Sequence, residues 1–173
     1  MRTRIALVVG LMLLVSLPAS AAEESDPNDS ASKLDISSFK AAGQDNSLGT
    51  FVITAFERWG SKFLKDANPT TLKIYLDDGS DGDADLVGNF RYVDGTLLFF
   101  LHGPDTGSNY EPLVAHRPTH KSVKVRVPLD LTELGSASLS AYARSISSEL
   151  NDCSGDPCQD RAPDTGGITV YAN

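Results

Sequence analysis

The sequence predicts an all-β domain, an antiparallel β-sandwich or jelly roll of about eight or nine short strands with one or two very short helices. Three observations carry this. Apolar residues fall at every second position in short runs, as in Leu72, Ile74 and Leu76 and in Val123, Val125 and Val127. That period of two belongs to a half-buried strand. Turn formers separate the runs, and Asp94-Gly95 is a strong two-residue hairpin signal. No long amphipathic pattern supplies the crossover helices that a parallel sheet requires.

The chain opens Met-Arg-Thr-Arg, runs apolar from Ile5 to Leu17 and reaches Ala19-Ser20-Ala21. A positive start, a short apolar core and small residues make a three-part secretory signal, expected over 1–21. The apolar run is shorter than the roughly 20 residues that cross a bilayer. No later run approaches that length, so no membrane span is expected. Residues 22–33 are polar and read as a flexible lead-in. The remaining 34–173 read as one domain.

Within it, Leu34, Ile36 and Phe39 suggest a first strand with a kink. Thr50 to Phe56 is β-branched and aromatic, which favours a strand. Trp59 to Asp66 reads as a short helix or turn. Leu72 to Leu76 and Leu86 to Val93 are strands flanking an acidic loop. Asp94-Gly95 then leads into the apolar run Thr96 to Leu101, expected at the centre of a sheet. Ser122 to Val127 is ended by Pro128. Leu129 to Leu134 is a second short helical candidate. Leu139 to Ile146 and Ile168 to Tyr171 complete the set.

Twenty-three acidic residues against 15 basic ones give the 173-residue chain a net charge of −8. Nucleic-acid binding lacks its basic footprint. Loss of the signal would remove Arg2 and Arg4 and no acid, making the chain more acidic still. Cations, neutral sugars and basic proteins remain as partners. The two cysteines, Cys153 and Cys158, enclose Ser-Gly-Asp-Pro. In an exported chain such a pair is expected as a local disulfide. A redox role would call for Cys-x-x-Cys at a helix start.

The acidic loop is the strongest chemical feature. Asp77, Asp78, Asp81, Asp83 and Asp85 lie in a glycine-bent segment with no Lys or Arg between Lys73 and Arg91. Calcium takes six to eight oxygens from carboxylates, carbonyls and water, so these residues are candidate Ca2+ ligands. The spacing departs from an EF-hand, whose twelfth position falls on Gly88 rather than an acid. A solvated hairpin is the other reading. His116 and His120 flank Pro118, and His102 precedes Gly103-Pro104. All three read as loop histidines. No nucleophile elbow, His-Glu-x-x-His, phosphate loop or dinucleotide fingerprint appears. Asp152, Asp156, Asp160 and Asp164 read as turn formers, or alternatively as the source of a hydrolase acid pair. Among the aromatic residues, Trp59, beside Gly60, and Tyr92 are candidates for a ligand-stacking surface.

The order of features resembles an uncharacterised group of bacterial secreted β-sandwich modules. The residues carrying it are Asp26-Pro27 with Asp29, Leu34-Asp35-Ile36, Glu57-Arg58-Trp59, Tyr75-Leu76-Asp77 with Asp81-Gly82 and Asp85, and Arg117-Pro118 before Val123-Lys124-Val125. The most specific part is the tail Cys153-x4-Cys158-x-Asp160-Arg161-Ala162-Pro163. Such modules look loosely like carbohydrate-binding module family nine and DOMON-type domains. The resemblance implies a binding or accessory role and brings no catalytic residue with it. The expected function is a secreted, non-catalytic binding module, stabilised by calcium, whose ligand is a carbohydrate or a secreted protein. The alternatives are a secreted hydrolase using the 152–164 acids and an interaction or inhibitor module.

Overall fold

The computed structural model describes residues 21–30, 32–44, 48–65, 70–79, 83–103, 107–129, 138–147 and 158–171. Expectations for the signal segment before Ala21, for Asp81, for Cys153 and for a helix beyond Leu129 lie outside these residues. Eleven strands form two antiparallel sheets among the described residues. The strands are β1 Ala21–Ser25, β2 Ile36–Gln44, β3 Leu48–Ala55, β4 Thr71–Asp77, β5 Leu86–Val93 and β6 Thr96–His102. They continue with β7 Leu113–Val114, β8 Ser122–Pro128, β9 Ser138–Ser147, β10 Cys158–Ala162 and β11 Ile168–Tyr171.

The smaller sheet has the order β1-β2-β3-β8. The larger runs β10-β9-β4-β5-β6-β7, and β11 pairs with the other half of the flank of β9 that β10 occupies. The expected kink in the first apolar strand is a register shift between Ile36 and Ser38. The Asp94-Gly95 turn has positive φ at both positions, 47° and 85°, which suits the right-handed twist of the β5–β6 hairpin.

Alternation places one apolar face of each sheet inward. Leu72, Ile74 and Leu76 of β4, Ala141 and Ala143 of β9, and Phe99 and Leu101 of β6 are buried. They face Phe39, Phe51, Ile53, Val123, Val125 and Val127 of the smaller sheet in one continuous core. Phe39 and Phe51 stack with ring centroids 6.3 Å apart.

Three expectations are corrected. The stretch 22–33 is no loose lead-in throughout: residues 21–25 pair with β2 from Ala21↔Ala42 to Ser25↔Ser38, and Asp26 and Ser32 beyond them are buried. Neither β1 nor β10 was expected as a strand. Both are edge strands, short on apolar residues, held by backbone hydrogen bonds to a longer neighbour. Trp59, a candidate for a ligand-stacking surface, is only 5% exposed. Its indole Nε1–H donates to the Lys121 carbonyl at 2.8 Å, and the Arg117 guanidinium lies 3.9 Å from its ring centre. The indole thereby closes the end of the core between the Ser61–Leu64 3-10 turn and the segment before β8.

Candidate functional site

Two acidic clusters form among the described residues. The first is the expected one. Asp77, Asp78 and Asp85 each bring a carboxylate oxygen within 4.8 Å of the others. Asp83 is exposed. The half-buried carboxylates of this loop also serve as turn acceptors. Asp85 Oδ2 accepts the Asp78 backbone N–H at 2.8 Å, and Asp77 Oδ1 accepts that of Gly79 at 2.6 Å. Gly79 has φ 81°, the left-handed conformation that glycine adopts readily.

The second cluster was not expected as a site. Asp26, at the end of β1, Asp29 in the following loop and Asp160 on β10 also bring carboxylate oxygens within 4.8 Å of one another. Asp160 occupies an inward position of β10, between Cys158 and Ala162 in the alternation, where a strand of a sandwich ordinarily carries an apolar side chain. Its Oδ2 accepts the Ile36 backbone N–H at 2.5 Å, joining the edge of the larger sheet to the start of β2. Asp35 lies alongside, buried, its Oδ1 accepting the Ser30 N–H at 3.3 Å. The hydroxyl oxygens of Ser30 and Ser32 accept the backbone N–H groups of Ser32 and Leu34 and so set the same loop.

The electrostatics follow from burial. Asp26 is 6% exposed and Asp160 5%. Burial, then the charge of Asp160, pushes the Asp26 carboxyl up to about 8. Burial and Asp160 also push Asp35 up to about 6. Asp160 is itself raised by burial, opposed by its bond from Ile36. Two carboxyls this close and this dry cannot both ionise freely.

The outer face of the larger sheet carries a different pattern. Arg161 of β10 stands opposite Arg144 of β9, and Arg144 opposite Lys73 of β4. All three are half-buried, and no described acid forms an ion pair with them. Arg144 donates to the Gln159 side chain, and Arg161 to the backbone carbonyls of Asp164 and Gly166. Two residues further along the same face, Tyr142 and Tyr75 stack with centroids 4.6 Å apart, and the Arg161 guanidinium covers Tyr142 at 4.1 Å. An open groove of about 400 Å³ follows this edge, and its lining mixes Arg144 and Arg161 with Asp29, Asp160 and Asp164. A hollow of about 320 Å³ adjoins Lys73, Asn89 and Arg91. His102 shares this face. Burial, then Lys73 and Arg91, pushes its pKa down.

Tyr92 packs half-buried against the core and belongs to neither feature. His116 and His120 are exposed. Cys158 is buried on β10. Of the 152–164 acids, Asp160 is buried, Asp164 is exposed, and the other two lie outside the described residues. Asp26 meets Asp160 near that tail, yet both Asp26 oxygens are sealed from solvent, out of reach of a substrate.

Fold and sites together define an all-β antiparallel sandwich with a buried acid cluster at one edge and a cationic row on an open sheet face. No protein-family model, curated protein or solved structure matches the chain. None of the helices among the described residues is long and apolar enough to cross a membrane.

Proposed function

We propose that this protein is an exported, non-catalytic binding module that recognises an acidic carbohydrate, such as a polyuronate, on the outer face of its larger sheet. The observation carrying this is the register Arg161–Arg144–Lys73 across three adjacent strands. Like charges directly opposite one another disfavour pairing, so the row weakens the sheet that holds it. It stands in a chain of net charge −8 with acids in excess. A ligand bearing carboxylates at regular intervals would relieve the repulsion through charge-assisted hydrogen bonds to the guanidinium groups. The stacked tyrosines beside the row stiffen its base and add hydroxyls suited to a polar ligand. The resemblance to secreted binding modules points the same way.

Binding of polygalacturonate, followed by calorimetry or affinity electrophoresis, is expected to weaken about tenfold or more in a Lys73→Ala/Arg144→Ala variant, the loss expected for about two charge-assisted contacts. Affinity should also fall as salt rises. Equal binding by wild type and variant, or none by either, rejects the acidic-carbohydrate reading. Cys153 and Cys158 are read as the disulfide that closes the loop before β10. Alkylation without prior reduction should leave both thiols unlabelled in the exported protein, as measured by mass spectrometry. Labelling of either thiol rejects the pairing.

A further inference from the structure

We propose that Asp26, Asp29 and Asp160 form a calcium-binding site that fastens the β1–β2 loop to β10. Three carboxylates converge, each offering an oxygen within 4.8 Å of the others. Oxygens sharing one calcium lie 2.3–2.6 Å from it, so they can stand up to about 5 Å apart, and the cluster meets that limit. The independent observation is Asp26. Its side chain is more than nine-tenths buried, it points into the cluster, and neither carboxylate oxygen has a hydrogen-bond donor. A buried carboxylate with no donor carries a large desolvation penalty, and buried charges in proteins are ordinarily paired or bound to a metal.

Among the described residues no basic side chain fills this role. The charges acting most strongly on Asp26 are other acids, Asp160, Asp164 and Asp29. Nearby Arg161 is turned to the outer face, over Tyr142 and onto the carbonyls of Asp164 and Gly166. Carboxylate oxygens suit a hard cation rather than a soft one. Asp29 is exposed and opens onto the groove, which leaves an entry path and room for water ligands. The 77–85 loop differs: its clustered carboxylates are half-buried and two of them accept backbone N–H groups of their own turn.

Calorimetric titration of chelator-treated protein with calcium chloride, paired with thermal melting, tests the site. Wild type is expected to bind calcium and to melt at a higher temperature when calcium is present. Asp29→Asn changes an exposed residue, so the metal-free variant should melt as wild type does. It should lose the calcium-binding event or bind about tenfold more weakly, since ligand charge sets affinity at such sites. An Asp77→Asn/Asp85→Asn variant should retain that event. The proposal is overturned by an absence of heat and of any melting shift at millimolar calcium. It is overturned equally by an Asp29→Asn protein that binds as wild type does.

Discussion

Phe99→Ala is expected to destabilise the domain by about 3–5 kcal/mol, among the largest effects available to a single core substitution. The ring is fully buried on β6 and tilts against Phe90 at 53°, with centroids 4.7 Å apart. It lies over Gly88 of β5. A Cβ at Gly88 would come within 1.8 Å of the tip of the Phe99 ring. The missing side chain at 88 is thus what lets the ring lie flat on the sheet. Gly88→Ala alone should cost about 1–3 kcal/mol through overpacking. In the double variant the new methyl enters space the ring has vacated, so the two costs should combine to less than their sum. Urea unfolding of the four proteins measures this. Strict additivity would show that ring and glycine do not compete for the same volume.

The second large effect concerns pH. With a chelator present, wild type should lose stability relative to Asp26→Asn as pH rises from about 4 to about 8. The sign follows from the direction of the shift. The ordinary carboxyl value is 3.8, and burial followed by Asp160 raises Asp26 to about 8. Between those values the folded chain holds a proton that the unfolded chain has released. Unfolding therefore becomes easier as protons grow scarce. Below the lower value both states are protonated, and above the upper one neither is, so the dependence flattens at both ends. Asparagine stays neutral throughout and resembles the protonated acid in shape. Wild type and variant should be close near pH 4, with the variant the more stable at pH 8, by on the order of a few kcal/mol. Asp35, raised to about 6 by burial and Asp160, adds to the same trend between 4 and 6 in both proteins. Denaturant melts across this range decide it. A wild type that gains stability over Asp26→Asn with rising pH would mean that Asp26 is stabilised as an anion.

The strands with clean alternation were legible residue by residue. Leu72, Ile74 and Leu76 lie on one face of β4, and Val123, Val125 and Val127 on one face of β8, all buried. The β5–β6 turn at Asp94-Gly95 was equally plain. The edge strands were not. Ala21–Ser25 is mostly exposed and lacks an apolar face, so nothing local distinguishes it from coil. Cys158–Ala162 alternates, but with an aspartate among its inward positions. Trp59 lies between Arg58 and Gly60 and is buried because the Arg117 and Lys121 segment folds over it. At the candidate sites, the 77–85 acids are adjacent in sequence and stand out as a cluster. Asp26 and Asp160 are separated by most of the chain, and no local spacing joins them.

Sequence by itself determined the strand periodicity, the hairpin at 94–95, the acidic charge and the all-β class. Each depends on neighbours a few residues apart, where side-chain direction follows from the pleat alone. Tertiary structure decided which acids meet and which cations line up. The pairing of β10 with β9 and the Ile36–Asp160 bond across the sandwich edge bring remote carboxylates together, and strand register sets Arg161, Arg144 and Lys73 in a row. Such contacts arise from packing two sheets over a shared core, and no local spacing encodes them.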